Sequence, residues 1–399
     1  MIKADIVCGE FRNINGANRV VEKLIAGKDI FLSQGICLGS LYTSAGVFLC
    51  DRYVSPLGNY SETYGRRREK IEKWKKRRAY RTYPVQAVMQ FRALKESEKG
   101  AGRYLASAGD ADCVIFNDVY AAYAYLKKRK KKSMGPKALV ITHADTDPLE
   151  QTLINRPELK GTFAEKRLRA KYDFALAHAD KVVSICRASQ KYIWEHQKIQ
   201  SACIYNGVED IPYEKRTARD PVLHFAELGT VMYRKGQDLV IEGLAKLTEE
   251  ERKRIQFHFI GNGKSYREIV ALAAERGVSG SCVFHGEVKD PSEILKHMDV
   301  MLLPSRAEAV PLSIIEGLRQ GLPVFSTNVG EIPFMIDGCG EVIEPTANGV
   351  YAVFRRTLNR EYDLEKLSAR ARQKYLECFT LEKMVSSYAN AIKSMFDKA

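Results

Sequence analysis

No apolar run in the 399-residue chain approaches the roughly 18 residues that a membrane-spanning helix needs. The longest uncharged stretch, 30–50, is interrupted by serines, glycines and a glutamine and stops at Asp51. An integral membrane protein is therefore not expected. The opening MIKADIVCGEFRN lacks the apolar centre of a secretory signal, which points to the cytoplasm. The cysteines (Cys8, Cys37, Cys50, Cys113, Cys186, Cys203, Cys282, Cys339 and Cys378) are odd in number and stand singly, with no CxxC pair, as reduced thiols packed as small hydrophobes would. Glycine (28) and proline (13) lie near average usage, so collagenous and low-complexity classes fall away. A required metal is not expected either: Asp110-Ala111-Asp112 and Asp145-Thr146-Asp147 have Asp-x-Asp spacing but no setting that gathers further ligands. No helix-turn-helix, RNP-like strand or zinc knuckle is visible, so specific nucleic-acid recognition is not indicated.

What the chain has in excess is positive charge, and it is unevenly placed. Residues 1–200 carry 37 Lys+Arg against 21 Asp+Glu, whereas the remainder carries 26 against 28. The densest run, Arg66–Arg81, holds ten basic and two acidic side chains around Ile71 and Trp74; a second, 127–132, reads KKRKKK. The first has the character of an interfacial anchor for an anionic surface, held mainly by electrostatics because its apolar face is thin. The second reads equally well as a solvated loop.

Short apolar runs alternate with helix-compatible segments: IVCGEF, CVIFND, ALVITHAD and KVVSIC in the first half, then VLHFAELG, QFHFIGNG, CVFHGEV, MDVMLLPS and LPVFST in the second. This alternation predicts α/β architecture with parallel sheets and helices on both faces. The charged, proline-containing stretch after Asn206-Gly207 marks a boundary. The expected division is a first domain over 1–205, a second over 206–378, and a terminal helix within 379–399 that crosses back to the first domain. Two doubly wound domains would face one another across a cleft, with ligands beyond the carboxyl ends of the strands.

The segment EAVPLSIIEGLRQGLPV (308–324) places Glu308 and Glu316 eight residues apart. Together with SRAE before it, GLPVFSTNVGEIPFMI after it, YNGVE, YRKGQDLVIEG, IGNGK and FTLEKMVSSY, it resembles the E-x7-E element of the large family of retaining glycosyltransferases of GT-B fold. The likeness covers essentially the whole second domain. In the first domain, Asn15-Gly16 stands where many members carry a double-glycine loop, and His143 where many carry an active-site histidine after a strand.

The resemblance implies a nucleotide-sugar as co-substrate, a UDP-sugar ahead of a GDP-sugar, with no separate cofactor. It implies Lys235 on the donor diphosphate, Gly236 and Gly16 allowing close backbone approach, and Glu308 beside the transferred sugar. Glu316, at the start of a helix, would accept from the ribose hydroxyls. Ala309, Val310 and Leu312 would offer backbone N–H groups, and His143, oriented by Asp145 and Asp147, would contact the donor. Two positions depart from the pattern. Thr230 stands where many members have arginine, with Arg234 as a substitute cation, and Ala309 where many have glycine. The resemblance also implies retention of anomeric configuration.

A cytoplasmic enzyme with a basic acceptor half fits a polyprenyl-diphosphate-linked or other glycan or glycolipid acceptor at the inner membrane face, in surface polysaccharide assembly. A soluble phosphorylated acceptor or a protein acceptor accounts for the cations as well. Two rivals stand beside this reading: a nucleotide-sugar epimerase or phosphorylase on the same architecture, and a non-enzymatic sugar- or nucleotide-binding accessory protein.

Overall fold

The computed structural model describes residues 1–9, 16–54, 82–107, 109–132, 135–144, 146–213 and 221–397. Asp145 and the basic run Arg66–Arg81 lie outside the described residues. Strands such as Cys113–Phe116 and Val300–Leu303 are buried at every position, as continuous apolar runs must be when helices cover both faces of a sheet.

The chain divides into two units, 1–206 with 381–399, and 207–380. The first contains β1 (Ile2–Val7), β2 (Ile36–Tyr42), β3 (Val47–Leu49), β4 (Cys113–Phe116), β5 (Lys137–Thr142), β6 (Lys181–Ser184) and β7 (Ala202–Cys203). They form one sheet in the order β3-β2-β1-β4-β5-β6-β7, parallel except for the β2/β3 edge pair. That edge hairpin was not expected from the sequence. Gly39 and Ser40 break the apolar run of β2, yet both are used: the Ser40 N–H donates to Asp5 Oδ1 (2.7 Å), and a side chain at Gly39 would meet the same carboxylate. The KKRKKK cluster is not a loop; it forms the last turns of helix Val119–Lys132.

The second unit contains β8 (Leu223–Leu228), β9 (Ile255–Ile260), β10 (Cys282–Gly286), β11 (Val300–Leu303), β12 (Val324–Thr327) and β13 (Gly340–Ile343). Its sheet is wholly parallel in the order β10-β9-β8-β11-β12-β13. This is the doubly wound order that reverses direction between its first and fourth strands, here β8 and β11. Phe225, Phe257, Phe259, Phe325 and Phe354 fill its core, with Phe354 edge-on to Phe225 at 5.0 Å between centroids. The expected α/β architecture of two doubly wound, parallel-sheet domains is present.

Helix Leu381–Lys393 belongs to the first unit. It rests against Gly27, where any side chain would strike Val385 at 2.3 Å, and the Gln34 amide donates to the Ser386 hydroxyl (2.7 Å). At the chain crossings, Val208 bridges Thr380 and donates its N–H to Phe379 O (3.0 Å), so the two connections run side by side.

Candidate functional site

The switch point of the second sheet places two loops together. After β8 the chain turns at Gly229 and makes a short 3-10 helix, Tyr233–Lys235, that ends at Gly236 with φ +84°. A Cβ at Gly236 would lie 2.2 Å from Pro304 O, so only glycine permits this turn to approach the loop after β11. Lacing follows from the same approach. Arg306 N donates to Arg234 O (2.7 Å), and the Arg306 guanidinium binds Tyr233 O and both oxygens of Asp238 (2.6–2.8 Å) while lying 4.0 Å over the Tyr233 ring.

Inside that lacing sits a buried ion pair. Lys235 Nζ is 2.5 Å from Glu308 Oε1, and their side chains are only 10% and 7% exposed. The Ser305 hydroxyl donates to the same Glu308 oxygen (3.1 Å). Arg234 Nη1 reaches within 3.7 Å of Glu308 Oε2 and donates to Ala307 O (3.1 Å), so it does point inward. The backbone of Glu308 and Ala309 is backed by Gly330, where a Cβ would meet Glu308 O at 2.2 Å, and Glu331 N donates to Ala309 O (2.9 Å).

Val310 is buried, and Leu312 opens helix Leu312–Arg319, which starts after Pro311 with no side-chain cap. Glu316 is the fifth of its eight residues, in the second turn rather than at the start as the sequence suggested. It is half-buried.

Glu227, at the end of β8, belongs to the same cluster and was not expected. It is 2% exposed; Oε1 accepts from Gln237 Nε2 (2.8 Å), and Gln237 Oε1 in turn accepts from Met232 N. Its Oε2 is buried without a hydrogen-bond partner among the described residues. Burial pushes its carboxyl well above the usual range; Lys235 opposes this, and Glu308 and Asp238 reinforce it. The signal available in sequence was a lone acid within the otherwise apolar FAEL strand.

The first unit has a different candidate. His143 follows β5 and its Nε2 lies 2.8 Å from Asn117 Oδ1. The Asn117 amide nitrogen donates to Ala17 O (3.1 Å), which assigns Oδ1 as acceptor and the Nε2 proton to His143. Desolvation pulls the imidazole down to about 4, so it is neutral and its Nδ1 is an acceptor. Ala17 lies in the first turn of helix Gly16–Ala26, so Gly16 and His143 are tied to one network. Of the two expected partners, Asp145 lies outside the described residues, and Asp147 is held instead by Arg169 in a two-point ion pair (2.7 and 2.9 Å).

Three histidines form a hydrogen-bonded row across β8, β9 and β10. His224 Nδ1 lies 3.1 Å from His258 Nε2, and His258 Nδ1 lies 2.9 Å from His285 Nε2. The central ring uses both nitrogens on its neighbours, so the three do not converge on a point. No group of three His, Cys, Asp or Glu placed to hold a metal occurs among the described residues.

Comparison with known proteins gives this geometry a context. Residues 215–374 match the family model described as glycosyl transferases group 1. The O-antigen biosynthesis glycosyltransferase WclY of Escherichia coli is 25% identical over 231 residues, 54% of this chain and 62% of that protein. The lipopolysaccharide glucosyltransferase WaaG of E. coli K12 is 35% identical over 119 residues, 29% of this chain and 32% of its own. The chain thus spans less than two thirds of these curated relatives. Among solved structures, Anabaena HepE in complex with UDP superposes with a TM-score of 0.68 at 13% identity, covering 99% of this chain and 100% of that one. Sucrose-phosphate synthase from Thermosynechococcus elongatus gives 0.69 at 16%, covering 99% of each. These likenesses establish the GT-B fold for the chain.

Proposed function

We propose that the chain is a retaining glycosyltransferase that moves a sugar from a nucleotide-sugar to a glycan or lipid-linked acceptor in surface polysaccharide or glycolipid assembly. The observation that carries this reading is the buried Lys235–Glu308 pair at the switch point of the unit that matches glycosyl transferases group 1. The names of WclY and WaaG support the polysaccharide or lipopolysaccharide setting, and the solved HepE complexes with UDP and UDP-glucose support a UDP-sugar.

Breaking the bond between the anomeric carbon and the diphosphate puts negative charge on the leaving group and positive character on the sugar. In this reading the Lys235 ammonium, with Arg234 beside it, meets the diphosphate. The inward aim of Arg234 supports its standing in for the arginine that Thr230 replaces. Glu308 accepts from the sugar hydroxyls, and Glu316 accepts from the ribose. Backbone groups of Ala309, Val310 and Leu312 line the donor path, and the Ala309 methyl narrows it. In the first unit, the neutral His143 accepts a hydroxyl proton at Nδ1, and Gly16 keeps the neighbouring backbone open. An anionic membrane surface, drawn by Arg66–Arg81 at the inner face of the cell membrane, would bring a lipid-linked acceptor to the enzyme.

Calorimetric titration of UDP and GDP into the wild type and Glu316→Ala tests the donor site. The expected result is micromolar binding of UDP by the wild type and its loss in the variant. Binding of neither nucleotide by the wild type contradicts the reading.

A further inference from the structure

In the free site Glu308 is already occupied, because Lys235 lies 2.5 Å from it and Ser305 donates to the same oxygen. A carboxylate clamped in this way cannot also serve sugar hydroxyls at full strength, so something must hold the ammonium when Glu308 turns to the sugar. The lysine chain runs across Gly229: a Cβ there would lie 3.3 Å from Lys235 Cε and 3.4 Å from Nζ. Two residues back along the same strand end is Glu227, with one oxygen fixed by Gln237 and the other lacking a partner among the described residues. A buried carboxyl oxygen with no donor is costly unless another state supplies one.

Resting on the donor-site reading above, we propose that Glu227 is a positioning residue that takes over the Lys235 ammonium when the donor sugar engages Glu308. The ammonium exchanges one carboxylate for another while its remaining protons face the diphosphate. Glu227 enters this exchange from its neutral form, since burial disfavours its charge, and it releases its proton to solvent as the ammonium arrives. Its charged surroundings are Lys235, Glu308 and Asp238, with Arg234 and Arg306 paired to the two latter acids. Gln237 holds Glu227 in place in both states.

The experiment compares Glu227→Gln with the wild type by titrating UDP, GDP and a panel of UDP-glucose, UDP-galactose, UDP-N-acetylglucosamine and GDP-mannose, at pH values from 5.5 to 8.5. Gln retains the shape and can still accept from Gln237, so melting temperature should be equal or higher. The exchange predicts that the affinity gained by adding the best sugar to the nucleotide grows with pH in the wild type. In Glu227→Gln that gain should shrink by about tenfold, the worth of one charge-assisted hydrogen bond, and become flat with pH, while nucleotide binding stays within about threefold. Gln237→Leu, which frees Glu227, should show the same loss in milder form. An unchanged sugar increment in Glu227→Gln overturns the exchange and leaves the donor site standing, and a wild type with no sugar increment for any donor does the same. Loss of nucleotide and sugar affinity by the same factor in Glu227→Gln also overturns it, assigning the residue to the fold. A wild type that binds no nucleotide overturns both readings together.

Discussion

The two units use the same strand logic and fill their switch points with opposite chemistry. In the second, the C-terminal ends of β8 and β11 hold ions: the Lys235–Glu308 pair inside, beside the buried Glu227 carboxyl, with Arg306 and Asp238 bracing the loops from the side. In the first, the corresponding ends of β1, β4 and β5 hold a neutral chain of His143, Asn117 and the Ala17 carbonyl. Net charge along the sequence runs the other way, because the excess of Lys and Arg belongs to the first 200 residues. Charge kept inside is strengthened by low dielectric and suits the grip on a charged ligand proposed for the second unit, and a basic excess along the first suits the attraction to an anionic surface proposed there.

The comparison breaks most clearly at Lys235. Lys235→Met leaves Glu308 buried with only Ser305 and Arg234, and should cost about 3 kcal/mol in urea unfolding, near the low end for breaking a buried pair. Nucleotide binding should vanish with it. At the matching place in the first unit, Asn117→Leu strands the His143 N–H and should cost about 1–3 kcal/mol, with UDP affinity unchanged in calorimetry. An equal loss of UDP binding in both variants would erase the distinction between the units.

The pH dependence sharpens it further. His143 in the first unit and His258 in the second are each lowered from 6.5 to about 4 by desolvation, His258 also by its neighbouring imidazoles. Both are neutral when folded and protonate more readily when unfolded, so their stabilising contribution is complete above pH 6.5 and is lost as pH falls from 6.5 toward 4. Glu227 has the reverse sign. Its folded carboxyl holds a proton that the unfolded chain gives up near 4.5, so stability falls as pH rises toward its raised folded value. Urea unfolding from pH 4 to 9 should therefore show an acid-side loss in the wild type and in Glu227→Gln alike, with the variant gaining steadily over the wild type as pH rises above the unfolded value of 4.5.

The sequence disclosed the parts of this structure that depend on local pattern. Continuous apolar runs announced β4, β5 and β11. Patterns broken for a tertiary reason were missed. The edge hairpin of β2 and β3 hides behind a glycine and a serine that serve Asp5, and the charged end of helix Val119–Lys132 has no apolar stripe to mark it. In the site, Glu308 was conspicuous because the E-x7-E spacing is linear. Glu227 was not, since its meaning comes from Lys235 eight residues on and Glu308 eighty-one residues on, which only the fold brings near. The same holds for Asn117, which partners His143 where Asp147 was expected to do so.

The most direct test of the central claim, that the ionic switch point of the second unit is the nucleotide-sugar site, is amide hydrogen exchange with and without UDP. The account predicts slowed exchange in 229–236 and 304–316 on adding UDP, absent in Lys235→Met. Binding of UDP with no protection in those two loops, or protection confined to other segments, would contradict it.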